Sequence, residues 1–108
     1  MLSKKQRLSR KEFSRIYKNG KRVSTPLFYF IYKKSDKKAR YSVVVSKKVS
    51  KSAVGRHKIK RRVYNILSAY IKQYPEHIYD GIFIISPQIT KESIDTITQT
   101  IVKTLNSL

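Results

Sequence analysis

The apolar positions of this chain switch repeatedly between a helical and an extended period. Phe13, Ile16 and Tyr17 fall at i, i+3 and i+4, one face of a short helix. Ser9 and Glu12 ahead of them form a Ser-x-x-Glu capping box, and Gly20 after Asn19 marks a stop. Residues 26–33 are a dense β-forming run whose two faces carry Leu27/Tyr29/Ile31 and Phe28/Phe30/Tyr32. Neither face is polar, which predicts a strand covered by helix on one side and exposed on the other as an aromatic platform. Residues 33–40, with Ser35 and Asp36, read as a turn. Residues 41–46, centred on Val43, Val44 and Val45, read as a buried strand that forms a hairpin with the first.

Ser52 or a neighbour opens the main helix, in which Ile59, Val63, Ile66, Leu67 and Tyr70 make one apolar stripe. That stripe sends His57, Arg61, Tyr64 and Asn65 to the opposite side. Pro75 stops the helix, and residues 78–86 form a further buried strand ended by Pro87, which completes a β-α-β unit. Thr90 is placed to cap a last helix with Ile94, Ile97, Ile101, Val102, Leu105 and Leu108 on one stripe. Threonines at 96, 98, 100 and 104 oppose that helix, and residues 96–100 partly alternate like a strand. Apolar positions that keep the helical period over 15 residues decide for helix. Residues 1–8 are basic and expected to be flexible, and a short extra strand is expected near residues 22–24. The order α-β-β(-β)-α-β-α in one domain spanning residues 1–108 is an α+β fold: an α/β sandwich with a small, mainly antiparallel sheet.

Charge narrows the function. The 108 residues carry a formal +19, and the excess is lopsided. Residues 1–72 hold 23 of the 25 Lys/Arg and two of the six acids, whereas residues 73–108 hold two Lys and four acids. Self-repulsion of this size destabilises a compact body, so a polyanionic partner, nucleic acid, is expected. The densest stretch, residues 46–64, contains eight Lys/Arg and no acid. Within it Lys47, Lys48 and Lys51 sit where a strand gives way to a loop, and Arg56, Lys58, Lys60 and Arg61 sit on the start of the main helix. An ordinary solvated helix face would carry Glu partners at i±4, and this one has none. Gly55 in the first turn is read as allowing backbone to approach a phosphate. Phe13, Tyr17, Phe28, Phe30 and Tyr32 are candidates to stack unpaired bases, against the plainer role of core.

Other classes recede. The absence of cysteine excludes disulfides and thiolate metal sites. No apolar run follows the basic N-terminus as a signal peptide would require, and no window suits a membrane helix. We therefore expect a cytoplasmic protein with no membrane partner and no small-molecule ligand. His57 and His77, as an acid–base pair, would be held about 30 Å apart by the intervening helix. The six acids are too few and too scattered for a two-metal nuclease centre.

Several motifs coincide in order: Arg7-Leu8, Phe13 and Tyr17, Gly20, Val45-Ser46-Lys47-Lys48-Val49, and Ala53-Val54-Gly55-Arg56-His57-Lys58-Ile59-Lys60-Arg61. With this spacing the chain resembles the protein subunit of bacterial ribonuclease P over nearly its whole length. It departs from the family at Arg56-His57-Lys58, where Arg-Asn-Arg is usual, and Lys58 lacks the bidentate fork of Arg. It departs again at Tyr64, where a further Arg is common. The resemblance implies a ribonucleoprotein that removes the 5′ leader from precursor tRNA. Its RNA subunit would carry out hydrolysis with Mg2+ held on RNA, so no catalytic or metal-binding residue is expected in the protein. The protein would bind the RNA through Lys47, Lys48, Lys51, Arg56, His57, Lys58, Lys60 and Arg61. It would hold the leader near Phe13, Tyr17, Phe28, Phe30 and Tyr32, in a cleft between sheet and first helix. A left-handed β-α-β crossover is also implied. A ribosomal or other structural RNA-binding protein would show the same charge pattern.

Overall fold

A computed structural model describes residues 6–35 and 38–108. Residues 1–5 of the segment expected to be flexible, and Asp36 and Lys37 of the expected turn, lie outside them. Helix α1 spans Arg10–Asn19 and starts with the anticipated box, the Glu12 N–H donating to Ser9 Oγ at 3.3 Å. It is followed by β1 (Lys21–Ser24), β2 (Phe28–Lys34), β3 (Arg40–Val44), α2 (Ala53–Gln73), β4 (Tyr79–Ile85), a 3-10 turn (Pro87–Lys91) and α3 (Ile94–Asn106). The four strands form one sheet in the order β1-β2-β4-β3, antiparallel except for the parallel pair β3/β4. The extra strand is therefore present as β1.

The expected hairpin of β2 and β3 does not form, because β4 lies between them. β4 is apolar on both faces, with Ile82 and Phe83 fully buried. Such a strand needs a neighbour on each edge and helix on each side. β3 carries Arg40 and Ser42 on one face and takes an outer position. Beside it, Arg7 pairs with Tyr41 and the Leu8 N–H donates to the Tyr41 carbonyl at 3.3 Å. The hairpin of the fold is β1/β2, in which Arg22 faces Ile31 and Ser24 faces Tyr29.

Two cores flank the sheet. The larger joins Phe28, Phe30, Tyr41, Val43, Phe83 and Ile85 to Val63 and Leu67 of α2 and Ile97, Ile101 and Leu105 of α3. The rings of Phe30 and Phe83 stack at 4.4 Å, and Phe28 meets Phe83 edge-on at 5.1 Å. Gly81 makes room for this packing, since a Cβ there would collide with the Phe30 ring. The smaller core is Ile16 of α1 on Ile31 and Ile82, ringed by Leu8, Phe13, Val44 and Ile84.

Two end signals differ from expectation. Ser93, not Thr90, caps α3, accepting from the Thr96 N–H at 3.2 Å; Thr90 lies in the 3-10 turn. The threonines that argued against helix are absorbed by it: the hydroxyls of Thr98, Thr100 and Thr104 donate to the carbonyls of Ile94, Thr96 and Thr100 at 2.7–2.8 Å. At the far end of α2, Tyr70 Oη lies 2.7 Å from His77 Nδ1 and donates to Asn106 Oδ1 at 2.8 Å, latching α3 to the loop before β4. Burial pushes the Tyr70 hydroxyl up to about 12, with Tyr74, Glu76 and Tyr79 adding to it, so the phenol keeps the proton it donates to Asn106.

Candidate nucleic-acid interface

The chain leaves β3 at Val44 and enters α2 nine residues later, through a stretch rich in lysine and serine. Lys47, Lys48 and Lys51 are all exposed there. Val49 is buried and anchors the loop between them. Ser52 caps α2 by accepting from the Gly55 N–H at 2.9 Å, and the first turn holds no acid. Its positive end therefore adds to the loop's charge. Burying Val63, Leu67 and Tyr70 against the sheet leaves His57, Lys58, Lys60 and Arg61 exposed. Lys47, Lys48, Lys51, Lys58, Lys60 and Arg61 thus make an exposed cationic edge from loop to helix, with the exposed His57 imidazole among them.

Arg56 differs from the others. It is half-buried, and its Nη1 donates to the carbonyls of Ser50 and Lys51 at 3.1 and 2.9 Å. The guanidinium therefore fixes the loop that carries Lys47, Lys48 and Lys51. Gly55 is similarly structural: a Cβ there would collide with the Ser50 and Ser52 hydroxyls, so its small size serves the cap. Tyr64, expected on the outer side of α2, is buried, and its Oη accepts from the Val43 N–H at 3.2 Å. On a 21-residue helix the buried arc is wider than the stripe read from aliphatic positions, and a phenol can satisfy an outer-strand donor where an aliphatic cannot.

The aromatic candidates divide between the two faces of the sheet. Phe28 and Phe30 are fully buried under α2 and α3, and Tyr32 is half-buried on the same face, its ring 5.4 Å from Phe30. These three do not form the open platform anticipated. The face toward α1 instead presents Tyr29, 37% exposed, a residue not among the stacking candidates drawn from sequence. Phe13 and Tyr17 stack along α1 with centroids 6.1 Å apart and planes at 13°, and Tyr17 is 44% exposed. The guanidinium of Arg22 on β1 lies 5.5 Å from the Tyr17 ring and 5.8 Å from the Tyr29 ring, and donates to the Tyr17 carbonyl at 3.0 Å. Phe13, Tyr17, Arg22 and Tyr29 thus form an aromatic and cationic flank along one side of α1. Stacking groups with one fixed cation suit unpaired bases and their phosphates. The signal for Tyr29 was its alternation with Ile31, the residue α1 covers; Arg22 had no signal in sequence.

The opposite side of α1 is held by ions. Arg40 forks Asp80, Nε to Oδ1 at 3.2 Å and Nη2 to Oδ2 at 3.0 Å, and pairs with Glu12 of α1. Burial pushes the Glu12 carboxyl up, but hydrogen bonds from Ser9 and the Arg40 charge outweigh it and hold it below the ordinary value. Two of the chain's six acids are thereby committed. Among the described residues no three His, Asp or Glu side chains converge. His57 is exposed near the start of α2, while His77 is packed against Tyr70 and Tyr79 beyond its end. The two cannot share a proton-transfer task. No helix among the described residues is long and apolar enough to cross a membrane.

Comparison with known proteins bears on the family and the fold. The family model described as ribonuclease P matches residues 2–108. A ribonuclease P protein component from a Nitratiruptor species is 32% identical over 100 residues, covering 93% of this chain and 88% of that protein. A Staphylococcus aureus ribonuclease P protein, a mutant described as defective in mRNA degradation activity, superposes with a TM-score of 0.77 at 27% identity over 95% of this chain and 87% of that one. The ribonuclease P protein of Thermotoga maritima superposes equally well, TM-score 0.77, over 94% of this chain and 96% of that one; at 22% identity it speaks for the fold. The chain belongs to the ribonuclease P protein family.

Proposed function

We propose that the chain binds the catalytic RNA of ribonuclease P through Lys47, Lys48, Lys51, His57, Lys58, Lys60 and Arg61, and promotes removal of the 5′ leader from precursor tRNA. Arg56 acts mainly by bracing the loop. The unpaired leader lies along the flank built by Phe13, Tyr17, Arg22 and Tyr29, where bases stack and phosphates meet Arg22. The magnesium ions of the reaction sit on RNA, and the assembly works in the cytoplasm.

One observation carries the reading: an uninterrupted cationic edge over the loop and α2, with none of its side chains paired to an acid among the described residues. Phosphate contacts are the use such an edge has, because each releases bound counterions from RNA. The test is cleavage of a 5′-extended tRNA by the cognate ribonuclease P RNA at low magnesium. Added protein should raise the rate and tighten substrate binding as the leader lengthens. A catalytic RNA indifferent to the protein rejects the proposal.

A further inference from the structure

The three helices divide the charge unevenly. α1 carries Arg10, Lys11, Arg15 and Lys18 against Glu12, and α2 carries Arg56, Lys58, Lys60, Arg61, Arg62 and Lys72 with no acid. α3 carries one acid, Asp95, and one base, Lys103, and residues 93–108 add no other charged side chain. The charges nearest to it alternate in sign. Arg62 and Glu92 line one small hollow with Ile97 near its start, and toward its end Lys72 and Glu76 follow Tyr70, which bonds Asn106. In a body of formal +19, the exposed side of α3 is where a like-charged body meets the least repulsion.

That side is also partly apolar. Of the exposed large apolar side chains, Tyr17 and Tyr29 belong to the flank beside α1, and Val54 stands among the basic residues at the start of α2. Ile94, 45% exposed, has no part in either. It begins a ridge with Thr98 and Val102, both half-buried, at i, i+4 and i+8. Beside the ridge runs a groove of about 470 Å³ between α2 and α3, where Ile66 and Ala69 face it. Asp95 and Lys103 follow Ile94 and Val102 by one residue each. The helix therefore reads apolar then acidic at its start and apolar then basic at its end, with Thr98 midway. That order is self-complementary. With two α3 helices antiparallel about a two-fold axis at Thr98, Ile94 meets Val102 of a second copy and Val102 meets its Ile94. Asp95 comes within reach of the second copy's Lys103, and each ridge lies in the other's groove. The opposed helix dipoles favour the same arrangement.

We infer that the exposed side of α3 is the docking surface for a second copy of this chain, in a two-fold pair. The inference goes beyond the RNA-binding role proposed above and stands apart from it, since none of the cations assigned to RNA lies on α3.

Sedimentation velocity of the full-length protein, freed of RNA, is followed over rising concentration at low salt and at a salt that screens the net charge. Wild type should pass from monomer to dimer, and at lower concentration in the higher salt. Asp95→Lys and Lys103→Asp should each raise the concentration needed by about tenfold or more, because each puts like charges together at both ends of the contact. The double variant Asp95→Lys/Lys103→Asp should restore the dimer. Thermal melting is the control for folding, since these charges also act on the ends of α3. A second readout uses the absence of cysteine from the chain. Thr98→Cys, at the axis, should form an intermolecular disulfide on mild oxidation, while Thr96→Cys, exposed on another side of α3, should not. A protein that stays monomeric throughout, a double variant no better than the single ones, or equal crosslinking at both positions contradicts the inference. So does a dimer that forms only with ribonuclease P RNA present. If RNA occupies this face instead, wild type stays monomeric and Lys103→Ala flattens the salt slope of RNA binding.

Discussion

Arg40 and Asp80 sit directly opposite each other on the parallel strands β3 and β4, joined by two hydrogen bonds of 3.2 and 3.0 Å. Asp80 is 4% exposed, so it depends on that guanidinium for its charge to be tolerated. Glu12 brings α1 to the same group. The ion cluster thereby sets the height of α1 on the sheet, and with it the position of Phe13 and Tyr17 on the other side of the helix.

Arg40→Ala should destabilise the protein by about 3 kcal/mol, because it leaves a buried carboxylate unpaired. Arg40→Lys should recover only part of the loss, a point charge being unable to fork both oxygens. Urea denaturation of the three proteins measures both effects. Loss of leader-dependent binding before loss of folding would mark the displacement of α1.

The pH response follows from Glu12. Its folded pKa lies below the ordinary 4.5. The unfolded chain therefore takes up the proton first as pH falls, and stability present above about 4.5 is lost through the lower folded value. Glu12→Gln should be less stable than wild type at pH 7 and should lose less on acidification. Melting curves between pH 7 and 3 show whether the two proteins converge as expected.

Arg56 and Arg61 separate bracing from binding. Arg56→Ala removes two bonds to loop carbonyls and should cost about 1–2 kcal/mol of stability. Arg61→Ala, on an exposed side chain, should leave melting unchanged while reducing the salt slope of RNA binding by roughly 0.7–0.9. Equal melting of the two variants would contradict the role given to Arg56.

Tyr29 and Phe28 are neighbours in sequence on opposite faces. Tyr29→Ala should weaken binding of a leader-bearing tRNA by about 1–3 kcal/mol with mature tRNA little affected. Arg22→Ala should act in the same direction. Phe28→Ala should instead destabilise the fold by about 3–5 kcal/mol, as for a fully buried ring. Leader binding and denaturation, measured on each variant, tell the two faces apart.

The elements were largely legible because each has a clear period, and the basic loop and helix were legible because charge has no alternative place to go. The sheet order was not: β2 and β3 are adjacent in sequence, and only the demand of β4 for cover on all sides puts it between them. The aromatic strand was ambiguous for a related reason. With Phe28/Phe30/Tyr32 on one face and Tyr29/Ile31 on the other, no polar residue marks the open side, and the decision belongs to α1, α2 and α3 in space. Tyr64 was misread because a hydroxyl bonded to the Val43 N–H looks in sequence like a surface group, and nothing in sequence marks the two loop carbonyls that the Arg56 guanidinium holds. Arg22 gains its meaning only from two rings brought to it from α1 and β2.

The central claim is that this chain grips RNA and leaves the cutting to its RNA partner. Its most direct test is incubation of 5′-extended tRNA with the protein freed of all RNA, with the cognate ribonuclease P RNA, and with both, in low magnesium; an mRNA substrate is run alongside, given the activity named for the Staphylococcus aureus relative. The account predicts 5′-end cleavage only where protein and catalytic RNA are together, and no product from either substrate with protein alone. Robust phosphodiester cleavage by the RNA-free protein would contradict it.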